Sequence, residues 1–197
     1  MRIIGGTAAG VILKAPPGLD LRPTPDLVKQ ALFNSLGERV LGRKVLELFA
    51  GTGALGLECL SRGAASLTSV EKSGRHGKII RDNLSSARLS ESDFQLRVQD
   101  AFVALHQLSD EHRIFDLVLA DPPYGEKNIG RRSSSFAQQL IDDPALPRLL
   151  APEGIFILGH SKRDTLSISQ DAWQETKLLK HGDSIIRFLA ALPRAEG

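Results

Sequence analysis

Between Val45 and Leu158, short apolar runs that read as strands alternate with stretches of helical spacing, and this alternation leaves few folds open. The strands are Val45-Leu46-Glu47-Leu48-Phe49, Leu67 to Val70, Phe94 to Val98, Phe115 to Ala120 and Ile155 to Leu158. Between them lie helical patterns at Ala54 to Arg62, around Ile79, Ile80, Leu84 and Ala87, at Phe102 to Leu108 and from Phe136. Strands linked by helices need right-handed crossovers, which build a parallel sheet covered by helices. Two further runs, Trp173 to Lys180 and Ser184 to Ala190, flank His181-Gly182-Asp183 and read as an antiparallel hairpin closing the sheet. The expected fold is therefore α/β and Rossmann-like, with a seven-stranded, mostly parallel sheet and a C-terminal antiparallel hairpin.

The first 21 residues differ. Gly5-Gly6, Gly10 and Pro16-Pro17-Gly18 interrupt short apolar pieces, which predicts a β-hairpin extension outside the core. A helix follows, capped by Thr24, opened by Pro25 and Asp26, and stopped by Gly37. Residues 1–44 hold seven Lys and Arg against three acidic residues, leaving 18 basic against 20 acidic in the rest. That asymmetry suits a phosphate-contacting surface as well as it suits an ordinary solvated face. The chain lacks a long apolar run, and Met1-Arg2-Ile3-Ile4 does not open a signal segment, so a soluble cytoplasmic protein is expected. Cys59, the only cysteine, excludes an internal disulfide, and the five histidines show no metal-ligand spacing; no metal is expected.

Gly51-Thr52-Gly53-Ala54-Leu55-Gly56 is a G-x-G-x-x-G turn between a strand and a helix. Such glycines let backbone approach a ligand and let the helix pack on the sheet. Glu71 follows 20 residues after Gly51, at the end of the next strand, where a carboxylate would accept ribose hydroxyls. The pair alone does not separate a nicotinamide cofactor from S-adenosylmethionine. Glu47, inside the first strand, suits the ammonium of S-adenosylmethionine and would repel a pyrophosphate. Asp100-Ala101 would meet an adenine amino group, although Asp100 also reads as a helix cap. Phe49, Ala50 and Lys72 flank these positions and complete the expected donor set.

The apolar run Phe115 to Ala120 is cut off by Asp121-Pro122-Pro123-Tyr124. Prolines cannot continue a central strand, so these groups stand at its carboxyl end, where open α/β sheets bind ligands. The Asp121 carboxylate and the Pro122 carbonyl could hold both protons of a base amino group, with Tyr124 stacking on the ring. Asp121 would also border the donor. Beyond them, residues 125–135 carry Arg131, Arg132 and three serines without an apolar period, as in a loop beside the site.

These residues resemble the RsmD-type bacterial 16S ribosomal RNA guanine-N2 methyltransferases. The likeness runs through Arg2-Ile3-Ile4-Gly5-Gly6, Leu21-Arg22-Pro23-Thr24, Ala31-Leu32-Phe33-Asn34, Leu46 to Glu58, Leu60 to Ala64, Val70-Glu71 and Asp121 to Tyr124. The resemblance implies a class I methyltransferase fold over 23–197 with an arm over 1–22. It implies S-adenosyl-L-methionine as donor, S-adenosyl-L-homocysteine as product, and the exocyclic N2 of a guanine in 16S rRNA as target, within a small-subunit particle or free of it. A monomer without membrane attachment is expected. Arg2, Arg22, Thr24, Lys29, Arg131 and Arg132 form the expected RNA contacts. Leu27 and Lys29 replace arginines common in the family, and Gly159 stands where the fifth strand often ends in Glu. The Asp-Pro-Pro-Tyr turn by itself also fits amino-methylation of adenine or cytosine in DNA or another RNA. An RNA-binding factor without catalysis is the non-enzymatic alternative.

Overall fold

The computed structural model describes residues 1–16, 26–124, 128 and 131–193. Arg22 and Thr24, with the Thr24-Pro25 helix opening, fall outside the described residues. Seven strands form one sheet in the order β3-β2-β1-β4-β5-β7-β6. They are β1 (Lys44–Leu48), β2 (Ser66–Glu71), β3 (Phe94–Val98), β4 (Phe115–Ala120), β5 (Leu150–Ser161), β6 (Trp173–His181) and β7 (Ser184–Ala191). The helices are α1 (Asp26–Leu36), α2 (Ala54–Ser61), α3 (Gly74–Ser86), α4 (Ala101–Asp110) and α5 (Phe136–Asp142), with 3-10 turns at Gly37–Val40 and Leu146–Leu149. The α/β class, the parallel majority and the antiparallel closing hairpin are as the sequence pattern predicts. Among the described residues, no helix is long and apolar enough to cross a membrane.

The chain divides into Met1–Ala104 and Leu105–Gly197 by the density of its internal contacts. In the first unit, β1 pairs in parallel with β2 and β2 with β3. Val45, Leu46 and Leu48 are fully buried, which is why this strand tolerates no alternation of polar residues apart from Glu47. In the second unit, β4 pairs in parallel with β5, while β5–β7 and β7–β6 are antiparallel. β5 extends well past the expected Ile155–Leu158. Gly154 and Pro152 disguise its first half, and the register against β4 shifts between Phe115 and Leu117.

The N-terminal arm is more than the extension expected from its glycines. Arg2 and Ile12 form one antiparallel bridge, and Ile3 and Leu13 are buried at 0% and 3% exposure. Gly5 and Gly6 mark a close approach to the end of α2. A side chain at Gly6, where φ is +78°, would run into the Ser61 carbonyl, and the Thr7 amide donates to that carbonyl at 2.8 Å. The Ser61 hydroxyl donates to the Gly5 carbonyl and accepts from the Ala8 amide.

Candidate functional site

The glycine turn is fixed on three sides within the first unit. β1 delivers Phe49 at φ +56°, an uncommon conformation for a bulky residue, and its ring meets Phe102 edge-on with centroids 6.1 Å apart. The Ala50 amide donates to the Val70 carbonyl at 3.0 Å, and the Gly51 amide to Glu71 Oε2 at 2.8 Å. Gly51, at φ +58°, has open space where a Cβ would stand. Gly51 is partly exposed, and backbone open in this way lets a ligand approach closely.

Glu71 also accepts from the Ser73 amide through Oε1, at 2.8 Å, with the His76 ring at 3.4 Å. Each carboxylate oxygen has a second lone pair, so a pinned Glu71 keeps acceptor capacity for ribose hydroxyls. Asp100 Oδ1 accepts from the Phe102 amide and caps α4, while Oδ2 pairs with the exposed Lys72 at 3.3 Å. Ala101 is buried behind that cap. Thr52, also buried, offers its carbonyl to Asn83 Nδ2 at 3.0 Å.

Two residues of the expected donor set are bonded into the scaffold. Glu47 is 3% exposed, and its oxygens accept from the Gly56 amide at 2.9 Å and the Ser69 hydroxyl at 2.8 Å. It ties α2 to β1 and β2. Gly56 lies inside α2, where a Cβ would stand 2.5 Å from Glu47 Oε2 and 2.7 Å from Leu67. The third glycine of the motif therefore serves helix-on-sheet packing, which a side chain would prevent.

Burial raises the Glu47 pKa from 4.5 to about 7, against the lowering pull of its hydrogen bonds. The folded chain holds this proton more tightly than the unfolded chain does. The associated stability is complete below the unfolded value and is lost as pH rises through the folded one. Between pH 5 and 7.5 the loss is expected to be roughly 2–3 kcal/mol. Urea unfolding of the parent protein and of Glu47→Gln at those pH values checks this; equal slopes for both would remove Glu47 as the source.

In the second unit, β4 carries Asp121 past its last paired residue, Ala120, which lies opposite Leu158. Asp121 is partly exposed, Pro122 buried, and Pro123 and Tyr124 exposed. The Tyr124 hydroxyl lies 3.0 Å from Ser184 Oγ, which anchors the far end of a ring that is 40% exposed. Gly159 borders the carboxylate. A Cβ there would stand 2.5 Å from Asp121 Oδ1 and 3.1 Å from its carboxyl carbon, so the glycine leaves Asp121 its position.

The expected RNA-contact residues that are described differ in exposure. Arg2 is exposed beside Asp26, and Arg131 and Arg132 are exposed, Arg132 paired with Asp142 at 2.7 Å. Lys29 does not belong with them. Its side chain is fully buried, with Nζ 3.2 Å from Glu58 Oε2 and donating to the Arg2 carbonyl. A buried ammonium satisfied in this way cannot meet a phosphate.

The model of the family described as conserved hypothetical protein 95 matches residues 1–190. The chain belongs to this family. Ribosomal RNA small subunit methyltransferase D of Escherichia coli (strain K12) is 39% identical over 124 residues, 63% of this chain and 60% of that protein. The aligned stretch thus spans about three fifths of that relative. The solved structure of yhhF from Escherichia coli has a TM-score of 0.77 and 28% identity, covering 99% of both chains. A further neighbour is the Thermus thermophilus 16S rRNA N2 G1207 methyltransferase RsmC, in complex with AdoMet and guanosine. It has a TM-score of 0.64 and 25% identity, covering 88% of this chain and 44% of that one. The fold of this family member is thus that of the class I methyltransferases.

Proposed function

We propose that this protein transfers a methyl group from S-adenosylmethionine to the exocyclic N2 of a guanine in small-subunit ribosomal RNA. The observation that carries the reading is the Asp121-Pro122-Pro123-Tyr124 turn at the carboxyl end of β4, with its ring anchored at Ser184. Support for the donor comes from the open cradle at Gly51, braced by Glu71, and from the names of the similar proteins.

The backbone of Ala50 to Gly53 would hold the donor's amino-acid portion, Glu71 its ribose hydroxyls, and Asp100 with Ala101 its adenine. When bound, S-adenosylmethionine supplies a methyl carbon on a positive sulfur, whose bond to carbon breaks as the nitrogen lone pair forms the new one, leaving S-adenosylhomocysteine. The lone pair of a guanine amino group is delocalised into the ring and is a poor nucleophile. Asp121 and the Pro122 carbonyl accept its two N–H hydrogens, fixing the nitrogen in position and favouring a pyramidal geometry. The Asp121 charge stabilises the positive nitrogen formed by transfer, and the surplus proton passes through Asp121 to water. Tyr124 stacks on the base, a contact worth about 1–3 kcal/mol. Arg2, Arg131 and Arg132, all exposed, are proposed to contact phosphates together with Arg22 and Thr24, on a single chain acting in the cytoplasm.

Nucleoside mass spectrometry of ribosomal RNA from cells with and without the protein tests this reading. N2-methylguanosine from the small subunit falls by one residue per particle if it holds; an unchanged nucleoside profile rejects it. Gly159→Ala offers a second check. The added Cβ displaces Asp121 Oδ1, and small misplacements of a positioning group are costly. Turnover is expected to fall about tenfold or more, with donor binding retained; parent-like turnover would show that Asp121 tolerates the shift.

A further inference from the structure

Asn83, in the last turn of α3, is fully buried and bonded to two segments far apart in the chain. Its Oδ1 accepts from the Lys14 amide at 2.7 Å, and its Nδ2 donates to the Lys14 carbonyl at 3.1 Å and to the Thr52 carbonyl at 3.0 Å. One planar amide therefore closes both backbone groups of an arm residue and one carbonyl of the glycine turn. Its two donors point to the two different segments. Aspartate would lose both donors, and leucine every bond.

A second contact reaches the same place. The Met1 sulfur lies 3.9 Å from Thr52 Oγ1, so the arm reaches Thr52 directly through its first residue and, by way of Asn83, through Lys14. From α3, Ile80 also packs under the turn, 3.0 Å from where a Gly53 Cβ would stand. The bridge Arg2–Ile12 and the bonds Ile3 N to Val11 O and Leu13 N to Met1 O tie the two halves of the arm together. Ordering Lys14 thus orders the arm as a whole.

We infer that Asn83 is a positioning residue that couples the N-terminal arm to the donor-binding glycine turn. Seating a donor on the turn steadies the arm, and an ordered arm strengthens donor binding by the same factor, because linkage between two binding events is reciprocal. The inference rests on the donor reading above.

Hydrogen exchange on the full chain, with and without S-adenosylhomocysteine, tests it beside calorimetry of the same ligand. In the parent protein, saturation is expected to slow exchange of the Ile3, Gly10, Leu13 and Lys14 amides at least threefold. In Asn83→Asp and Asn83→Ala this arm response is lost, and ligand affinity falls at least fivefold while the remaining core amides keep their protection. Saturation by calorimetry with unchanged arm exchange in the parent overturns the coupling and needs no variant. Absence of binding to the parent protein instead overturns the donor reading, so the two failures are distinct. Parent-like affinity in a folded Asn83 variant likewise overturns it.

Discussion

Asp121→Asn is expected to lower turnover at least about a hundredfold while leaving donor binding within about threefold of the parent. The substitution keeps the size of the side chain and removes only its charge and one acceptor. If Asp121 merely ended β4, Asn would do as well, since asparagine accepts and donates in turns with equal ease. If the carboxylate orients an amino group and balances positive charge on nitrogen, Asn presents an N–H toward N–H hydrogens and offers no charge. Removal of a single preorganised electrostatic partner in other active sites costs about 3–4 kcal/mol, which sets the hundredfold scale. Single-turnover methylation of ribosomal RNA, with calorimetric donor titration on the same samples, separates the two effects. Turnover within a few-fold of the parent would take Asp121 out of the chemistry. Loss of donor binding in step with turnover would make it a donor residue alone.

The pattern of strands and helices was legible because burial of the sheet on both faces leaves nearly continuous apolar runs, as in Phe115 to Ala120. The glycine turn and its acidic partner were legible too, since an acidic residue at the end of the next strand is the usual companion of such a turn, and here Glu71 accepts from the Gly51 amide. What the sequence concealed is which polar residues face inward. Lys29 sits on a helix whose neighbours Val28, Leu32 and Phe33 are buried, but lysine usually lies outside, and its burial depends on partners distant in sequence, the Glu58 carboxylate on α2 and the Arg2 carbonyl. Glu47 was read as a partner for an ammonium group, and nothing local showed that it is buried with the Gly56 amide and the Ser69 hydroxyl donating to its oxygens. Asn83 carried no local signal, and Gly159 stood out only as a departure from the family pattern. Their importance lies in what stands opposite them, the carboxylate of Asp121 in one case and the backbone of Lys14 and Thr52 in the other.

Glu58→Ala is expected to destabilise the protein by about 3–5 kcal/mol, more than Lys29→Met does, and the difference follows from who is left unpaired. Glu58 Oε1 accepts from Arg62 Nε at 2.9 Å, and Oε2 accepts from the Ile4 amide at 2.8 Å as well as from Lys29. Removing Lys29 therefore leaves Glu58 with a cation and an amide, whereas removing Glu58 leaves a fully buried ammonium with the Arg2 carbonyl and strands the Ile4 amide. The Arg62 guanidinium, 4.8 Å from the Phe33 ring centroid, also loses its anion. Replacing both members, as Lys29→Met with Glu58→Leu, should recover part of the loss, since two well-packed apolar side chains avoid the desolvation of either charge. Urea midpoints of the two single variants and the double variant test the order. Lys29→Met measured against salt for RNA binding gives the complementary result: a cation sealed in the interior releases no counterions from phosphate, so the slope of affinity with salt stays that of the parent while the unfolding midpoint drops.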